Sequence, residues 1–378
     1  MQLKKTCLAV LAAVALAACG GGDDPTYSRL VSFGDSLSDV GSYKTPGIAA
    51  LGGGKYTVNG GGNEIWIEQL SVQLGLAAPC AAQTGLEASG AFAALAATPT
   101  DHPDCTAYGQ GGSRVSDPVG PWNKNSPIEE QAQLGQLTVP VQQQIDKHLK
   151  VSGGRFTDRE LVTVLAGAND VFVKTDELAA IGMAAAQAAA AGGATPGQIA
   201  AATQAAVQNA AATIIPTLGL AGAELAALVK TQIVANGAKR VVVMNLPNIS
   251  KTPATLEAEK ALPGSQQLVD LMTTTFNAAL KAGLDGTAEV LQVDFYAQNS
   301  QHSVTPAAFG LTDTSTPACT NKFNGADDFL APSLTCTTAT TLPNSSRFLF
   351  ADSVHPTPYG HSLMRDMALD ALKAKNWL

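Results

Sequence analysis

The sequence predicts an α/β fold in which a mostly parallel sheet is covered by helices on both faces. Short, buried apolar runs recur along the chain, and long stretches of helical periodicity separate them. Apolar residues make up 46% of the 378 residues and charged residues 14%, a composition that supports a well-buried core. The runs predicted as strands are Leu30–Phe33, Leu161–Leu165, Val241–Met244 and Val290–Val293.

Helical periodicity is clearest in an Ala-rich segment, where Thr195 and Pro196 form a cap and first-turn pair. Alanine is the best helix former and lets helices pack closely, which explains the low complexity of this segment. Because Gly192, Gly193 and Pro196 interrupt it, we expect no stretch here that is long and apolar enough for a membrane-spanning helix. The predicted helical segments are Ile65–Leu74, Asp176–Asn236, Ser265–Leu284 and a last helix capped by Thr357 and Pro358.

The N-terminus has the pattern of an export signal. Lys4 and Lys5 precede an apolar run, Cys7–Leu16, which has the length of a signal-peptide core and is too short to span a bilayer. Residues 1–18 are therefore predicted to be a signal peptide. Ordinary cleavage after Ala17 is the alternative to the lipidation site described next.

Residues 16–20 resemble a bacterial lipobox, in which the cysteine, here Cys19, becomes the lipidated N-terminus of the mature protein. Residues 19–28 would then be a lipidated, flexible tether that holds the protein at a membrane. Under the sorting rule that this resemblance implies, Gly20 after the cysteine indicates the outer membrane. Without lipidation the protein would be periplasmic or secreted.

Four cysteines remain once Cys7 in the leader and Cys19 are set aside. An even count in an exported protein predicts two disulfides, and four cysteines allow three pairings. A metal site is the competing interpretation, but no C-x-x-C spacing supports it. We expect the sequence-local pairing, because each bond closes one loop rich in Gly, Pro, Thr or Ala: Cys80–Cys105 and Cys319–Cys336.

The charge of the chain argues against nucleic acid as a partner. The formal net charge is −8, and no cluster of lysine or arginine follows residue 5. A protein without a basic patch gains nothing from releasing phosphate counterions.

Ser36 directly follows the first predicted strand, in the sequence Gly-Asp-Ser-Leu. Ligands of open α/β sheets bind beyond the carboxyl ends of the strands, and helix N-termini there favour developing negative charge. Ser36 is thus a candidate nucleophile, with a simple helix cap as the alternative. Position 38 is serine, so the G-x-S-x-G elbow of α/β-hydrolases is absent at this site.

A nucleophilic serine needs a base, and the base needs a group that orients it. Of the five histidines, only His355 has an aspartate, Asp352, three residues before it. In a tight turn that spacing lets the carboxylate reach one ring nitrogen while the other faces the serine. Pro356 then stiffens the backbone, whereas His361 is expected to be a surface or structural residue.

A tetrahedral oxyanion needs hydrogen-bond donors aimed at it. Asn169 follows the Leu161–Leu165 strand, so its side-chain amide is expected at the same sheet edge as Ser36. Gly111 and Gly112 lie between these motifs, and a glycine lets a backbone N–H approach a substrate closely. An ordinary turn is the alternative interpretation for each.

In chain order, these blocks resemble the SGNH, or GDSL, hydrolase family. The resemblance implies Ser36 as nucleophile, His355 as base, Asp352 as its partner, and Ser36, Gly112 and Asn169 as the oxyanion hole. Ala107 stands where the family has an asparagine, so Gly111 is the alternative to Gly112. The blocks are Phe33–Asp39, Gly109–Ser113, Gly167–Asp170 and Asp352–Pro356.

The resemblance also implies a three-layer α/β/α sandwich with about five parallel strands, similar to flavodoxin-like sheets. We expect one hydrolase domain over residues 29–378, with loop insertions at about 79–130 and 298–347. These loops, with residues 43–64, are expected to form the pocket walls. The second strand, near 106–108, is poorly marked.

The implied activity is serine-dependent hydrolysis of carboxylic esters through an acyl-enzyme, without a metal or an organic cofactor. Lipid acyl transfer and polysaccharide deacetylation on the same site are the alternative enzyme functions. A lipid-anchored binding protein on an inactive hydrolase scaffold is the alternative without catalysis.

Overall fold

Four parallel strands form the central sheet, and each contains one of the predicted apolar runs. The computed structural model describes residues 27–320 and 332–378. In chain order the strands are β1 (Arg29–Gly34), β2 (Gln83–Leu86), β3 (Ala97–Asp101), β4 (Glu160–Leu165), β5 (Val241–Met244) and β6 (Val290–Val293). The sheet has the order β1-β4-β5-β6, while β2 and β3 form a separate antiparallel hairpin. The predicted signal peptide, Cys19 and most of the predicted tether lie outside the described residues.

Residues 106–108 lie beside β1, where the predicted second strand was poorly marked. The Ser32 N–H donates to the Thr106 carbonyl at 2.9 Å, and the Tyr108 N–H donates to the Ser32 carbonyl at 2.7 Å. Only Ala107 forms a bridge with β1. Gly109 then passes close to the Ser38 backbone, where a Cβ atom would lie 2.8 Å from the carbonyl oxygen, and the Gln110 N–H donates to the Gly34 carbonyl at 3.2 Å.

Helices cover the sheet and join its strands. Helix α8 has the predicted bounds, and Thr195 caps α6 by accepting a hydrogen bond from the Gln198 N–H. The α-helices of the described residues are α1 (Pro46–Ala50), α2 (Trp66–Gln73), α3 (Glu129–Leu134), α4 (Val141–Val151), α5 (Ala168–Ala191), α6 (Pro196–Leu228), α7 (Pro253–Ala261), α8 (Ser265–Leu284), α9 (Phe295–Val304), α10 (Pro332–Thr335) and α11 (Pro358–Ala374).

Alternate residues of the strands face two different helical layers. Val31 and Phe33 of β1 pack in a cluster with residues of α4, α5, α6 and α8. Leu30 packs on the opposite face with α2 and α11. Because side chains of a strand alternate between the faces of a sheet, both faces of these apolar strands are buried. The fold is the expected three-layer α/β/α sandwich.

The expectation that no stretch of the Ala-rich segment is long and apolar enough to span a membrane was wrong. Helix α6 and the π-helical turn that continues it, Pro196–Val234, are together long and apolar enough to cross a membrane by length and composition. The break at Gly192 and Gly193 ends α5, but a new helix starts at Pro196 and continues past Pro216. Its apolar side belongs to the protein core, where Leu218 and Leu225 pack with α5 and α8. The core helix of a soluble protein can have the same composition.

The insertion at 79–130 is more ordered than its composition indicates. It contains the β2–β3 hairpin, and Leu86 and Phe92 pack with Tyr43 and Trp122 in a small apolar cluster above the sheet edge. Disulfides join Cys80 to Cys105 and Cys319 to Cys336. Two disulfides are typical of an extracellular or periplasmic protein.

Helices α6 and α8 pack so closely that glycine is required at one contact. A Cβ atom on Gly222 would lie 2.3 Å from the Phe276 carbonyl oxygen, whereas one on Gly219 would make an ordinary 3.4 Å contact with Thr275. The small residues of α6 therefore set the distance between the two helices.

We expect Gly222→Ala to lower the free energy of unfolding by about 1–3 kcal/mol, because the helices must move apart. Gly219→Ala is the matched control on the same helix. It should raise stability by up to about 1 kcal/mol, since alanine is the better helix former. Urea denaturation followed by circular dichroism measures both, and equal effects of the two variants would contradict this packing argument.

Candidate active site

Ser36 begins a single 3-10 turn, Ser36–Ser38, at the carboxyl end of β1. The strand ends at Gly34, where a Cβ atom would lie 2.3 Å from the Leu165 carbonyl oxygen of the neighbouring strand. The side-chain amide of Gln144 on α4 pairs with both backbone groups of Gly34, at 2.9 and 2.8 Å. Asp35 caps the turn by accepting a hydrogen bond from Leu37. These contacts hold Ser36 at the edge of the sheet.

The turn before α11 brings Asp352 and His355 to Ser36. Nε2 of His355 lies 2.8 Å from Ser36 Oγ, and Nδ1 lies 2.8 Å from Oδ2 of Asp352. Oδ1 of Asp352 accepts the backbone N–H groups of Val354 and His355, at 2.8 and 2.7 Å. The three-residue spacing thus closes a turn that fixes the carboxylate against the imidazole ring.

Burial and hydrogen bonding act in opposite directions on Asp352. Burial alone would raise the pKa of this carboxyl, but the charge and hydrogen bonds of His355 and a hydrogen bond from Ser333 hold the pKa below its usual value. The Ser333 hydroxyl donates to Oδ2 of Asp352. Asp352 therefore stays an anion beside the ring. The sequence did not indicate Ser333, which lies in the short helix α10 within a Thr- and Ser-rich segment that carries no motif.

Asn169 lies in the first turn of α5, directly after β4. Gly167 precedes this helix with a φ of +115°, and a Cβ atom there would lie 2.3 Å from the Phe276 ring. The turn therefore requires glycine for its conformation and for space. Nδ2 of Asn169 donates to the Ser113 carbonyl at 2.9 Å. The side-chain amide is held at the sheet edge where Ser36 lies, because β1 and β4 are adjacent.

Gly111 and Gly112 differ in what their backbone N–H groups contact. The Gly111 N–H donates to Oδ2 of Asp39 at 2.9 Å. Those of Gly112 and Ser36 have no hydrogen-bond acceptor within residues 27–320 and 332–378. Gly112 has a φ of +79°, and it lines a cavity with Ser36, Asn169 and His355. The two unpaired N–H groups and the Asn169 amide are thus available to one ligand.

The acidic residues next to the motifs support the backbone. Asp39 accepts hydrogen bonds from Gly41, Ser42 and Gly111. Asp170 pairs with Arg114 and accepts the Val115 N–H. Asp35 is completely buried, which raises its pKa to about 7, against the opposing effects of the Leu37 hydrogen bond and of His355.

The other histidines lie apart from the Ser36 hydroxyl. His148 stacks on Phe156 and meets Phe33 edge-on in the core, and burial lowers its pKa to about 4. His361 is fully buried on α11, which excludes the predicted surface position, and burial lowers its pKa to about 3. Both are neutral core residues. No group of three metal-ligating side chains occurs in the parts of the chain that the structure describes.

A cavity of about 560 Å³ opens at Ser36 and His355. Two loop residues belong to its wall: Tyr56, whose ring is 4.8 Å from that of His355, and Trp122, whose φ of +65° is rare for a bulky residue. The expectation that loops form the walls was wrong for most of the cavity. Most lining residues belong to α5, α6, α7 and α8, and none of those described at 298–320 or 332–347 lines it. Periodicity predicted much of these helices but not the side on which they pack.

We expect the pKa of Asp35 to be visible in protein stability. A folded-state pKa above the unfolded value means that the folded state binds more protons, so stability falls as pH rises from about 4 to 7. Asp35→Asn keeps the cap and removes the titration. From pH 4 to pH 7 the free energy of unfolding of the wild type should therefore fall by on the order of 4 kcal/mol relative to that of this variant.

Asp285→Asn is the control for this measurement, because hydrogen bonding to Lys281 lowers the pKa of that exposed carboxyl. The difference in free energy of unfolding between Asp285→Asn and the wild type should stay constant above pH 5. Urea unfolding at several pH values measures both, and a flat difference for Asp35→Asn would contradict the raised pKa.

Comparison with known proteins agrees with the motifs and the fold. Residues 30–367 match the model of the GDSL-like lipase/acylhydrolase family. The chain is 32% identical over 138 residues to esterase EstA of Pseudomonas aeruginosa and to that of Pseudomonas putida, covering 36% of the chain and 20% of each relative. It is 29% identical over 141 residues to the anther-specific proline-rich protein APG of Arabidopsis thaliana, covering 36% of the chain and 25% of that protein.

The chain thus spans only a fifth to a quarter of the length of these relatives. The family match, in contrast, extends from β1 to α11 and includes the four sequence blocks that contain Ser36, Gly112, Asn169 and His355. The chain belongs to the GDSL-like lipase/acylhydrolase family.

Proposed function

We propose that the protein is a serine esterase that hydrolyses carboxylic esters through an acyl-enzyme on Ser36. The observation that carries the proposal is the chain of two 2.8 Å contacts, from Ser36 Oγ to His355 and from His355 to Asp352. A hydroxyl, an imidazole and an anionic carboxylate in this order generate a nucleophile at neutral pH. The family match and the two esterase relatives support the same reaction class.

In the first step, Nε2 of His355 takes the Ser36 proton as Oγ attacks the ester carbonyl carbon. Asp352, hydrogen-bonded to Nδ1, fixes the tautomer and stabilises the imidazolium that forms. The carbonyl oxygen becomes an oxyanion, which the N–H groups of Ser36 and Gly112 bind. The Asn169 amide has a second N–H besides the one that contacts Ser113, and it completes the oxyanion hole.

Collapse of the tetrahedral intermediate breaks the bond to the alcohol, which leaves with the proton from His355. Water then attacks the acyl-enzyme while the same imidazole takes its proton. The second intermediate collapses to release the carboxylic acid and return the proton to Ser36. Protein groups alone carry the protons in this scheme.

We expect a graded loss of activity in three variants. Ser36→Ala and His355→Ala should each lower kcat by roughly 10⁴–10⁶, because the nucleophile or its base is removed. Asn169→Ala should lower kcat by about 10²–10³, because one of three oxyanion donors is lost. Hydrolysis of p-nitrophenyl esters from acetyl to palmitoyl measures all three.

Ser38→Ala is the matched control, since Ser38 lies in the same turn, is buried and does not line the cavity. It should retain most of the activity and react with a serine-directed phosphonate, whereas Ser36→Ala should not. Activity of Ser36→Ala within about tenfold of the wild type would rule out the proposed nucleophile. Product analysis with added alcohols or sterols would reveal acyl transfer in place of hydrolysis.

We also propose that the protein is a bacterial lipoprotein exported to the outer membrane and anchored by a lipid on Cys19. The lipobox-like sequence at 16–20 supports this, as do the two disulfides, which form in oxidising compartments. A diacylated cysteine gives stable membrane attachment because more than one acyl chain is buried.

We expect Cys19→Ser to move the full-length protein from the membrane fraction of a bacterial host to the soluble fraction. Cys7→Ser, which changes a cysteine in the predicted leader, is the control and should leave it in the membrane fraction. Mass spectrometry of the N-terminal peptide would detect the lipid. Recovery of Cys19→Ser with the membranes, or an unmodified Cys19 in the wild type, would contradict the anchor.

A further inference from the structure

The cavity at Ser36 follows one side of helix α5 away from the sheet. Lining residues recur at every third or fourth position of that helix, from Asn169 and Phe172 through Ala179 and Gly182 to Ala186. This spacing defines a single face of a helix. Asn169 and Ala186 are 17 residues apart, so the lined face extends about 25 Å from the oxyanion donors.

Apolar side chains of the other helices complete the walls. Val207 of α6 and Val269 and Met272 of α8 face the cavity, as does Ala258 of α7. The described lining residues include no lysine or arginine, and the only carboxylates among them are Glu130 and Asp176. An anionic ligand would find no lysine or arginine to pair with. Polar residues such as Gln131, Gln136 and Thr203 also line the cavity, but apolar residues form most of its wall.

The outer part of the cavity carries apolar side chains that are open to solvent. Met183 of α5 is 61% exposed and Ile128, before α3, is 42% exposed, although both line the cavity. Large exposed apolar groups that adjoin an apolar cavity favour a ligand that is itself apolar. This feature is independent of the residues at the reaction centre.

We infer that this cavity, which we term the α5 channel, binds the acyl chain of the ester, and that the preferred substrates are long-chain acyl esters. The inference rests on the proposed ester hydrolysis. The acyl group stays on Ser36 through both steps while the alcohol leaves after the first, so the apolar cavity along α5 suits the acyl side. An extended chain advances about 1.25 Å per carbon, so a 16-carbon chain of about 20 Å fits within the lined face.

Ala179 offers a position at which the α5 channel can be shortened. It lies ten residues beyond Asn169, or about 15 Å along the helix, which corresponds to about twelve carbons of an acyl chain. Ala179 is exposed and lines the cavity, so a phenylalanine there fills the channel without entering the core. The adjacent Ala180 is also exposed but does not line the cavity, and Ala180→Phe is therefore the matched control.

The experiment compares kcat/KM of the wild type, Ala179→Phe and Ala180→Phe on p-nitrophenyl esters from acetyl to hexadecanoyl, dispersed identically. The wild type should prefer chains of ten or more carbons, since each buried methylene contributes up to about fourfold. Ala179→Phe should keep its activity on acetyl and butyryl esters. It should lose at least about tenfold on tetradecanoyl and hexadecanoyl esters, the contribution of about two methylene groups. Ala180→Phe should match the wild type at every length.

Equal profiles for the two phenylalanine variants, or a wild type that prefers acetyl esters, would overturn the inference. A preference for long alkyl acetates over long acyl esters would assign the α5 channel to the alcohol side instead, which also overturns it. Failure of the proposed function is recognised separately, because activity on acetyl esters would then survive Ser36→Ala.

Binding provides a readout that needs no turnover. In the Ser36→Ala background, hexadecanoyl p-nitrophenyl ester should change the fluorescence of Trp122, which lines the cavity. The additional change Ala179→Phe should weaken this binding at least about tenfold, and Ala180→Phe should not. Equal binding by both double variants would overturn the inference even if no ester is hydrolysed.

Discussion

The contact between Ser36 and His355 joins residues that are 319 positions apart, and much of the fold is needed to form it. Ser36 is fixed by the close approach of β1 to β4 at Gly34 and by the amide of Gln144. His355 is fixed by the turn before α11, in which the Asp352 carboxylate accepts the backbone N–H groups of Val354 and His355. A hydrogen bond is sensitive to shifts of a few tenths of an ångström, so both turns must be rigid.

The parallel sheet explains why separate motifs meet. Ser36 follows β1 and Asn169 follows β4, and the two strands are paired so that Gly34 is opposite Leu165. Parallel neighbours have their carboxyl ends at one edge, and loops from that edge converge there. The Asp352–His355 turn reaches the same edge from the last helix. The chemistry of the site therefore depends on strand ends and short turns, while the cavity depends on helices that lie beside them.

The sequence predicted the four sheet strands and the long helices because their residues repeat with periods that local physics sets. It also predicted the order of the site residues, since short motifs carry it. Ser333, in the short helix α10, and Tyr56, in a loop, could not be predicted, because no local pattern encodes how these segments pack against the site. The π-helical extension of α6 and the short pairing at 106–108 depend on tertiary contacts, which override propensity.

The walls of the cavity were predicted incorrectly for a related reason. An Ala-rich segment indicates that helices form and pack closely, but not which partner they contact. Gly222 against Phe276 and Gly283 against Ala226 show that small residues set the approach of α6 to α8. That approach in turn fixes the distance of Val207 on α6 from Val269 on α8, both of which line the α5 channel. The same composition that gives this segment its low complexity thus determines the width of the apolar cavity. Phe276 links this packing to the site, because its carbonyl meets Gly222 while its ring packs against Gly167, directly before α5.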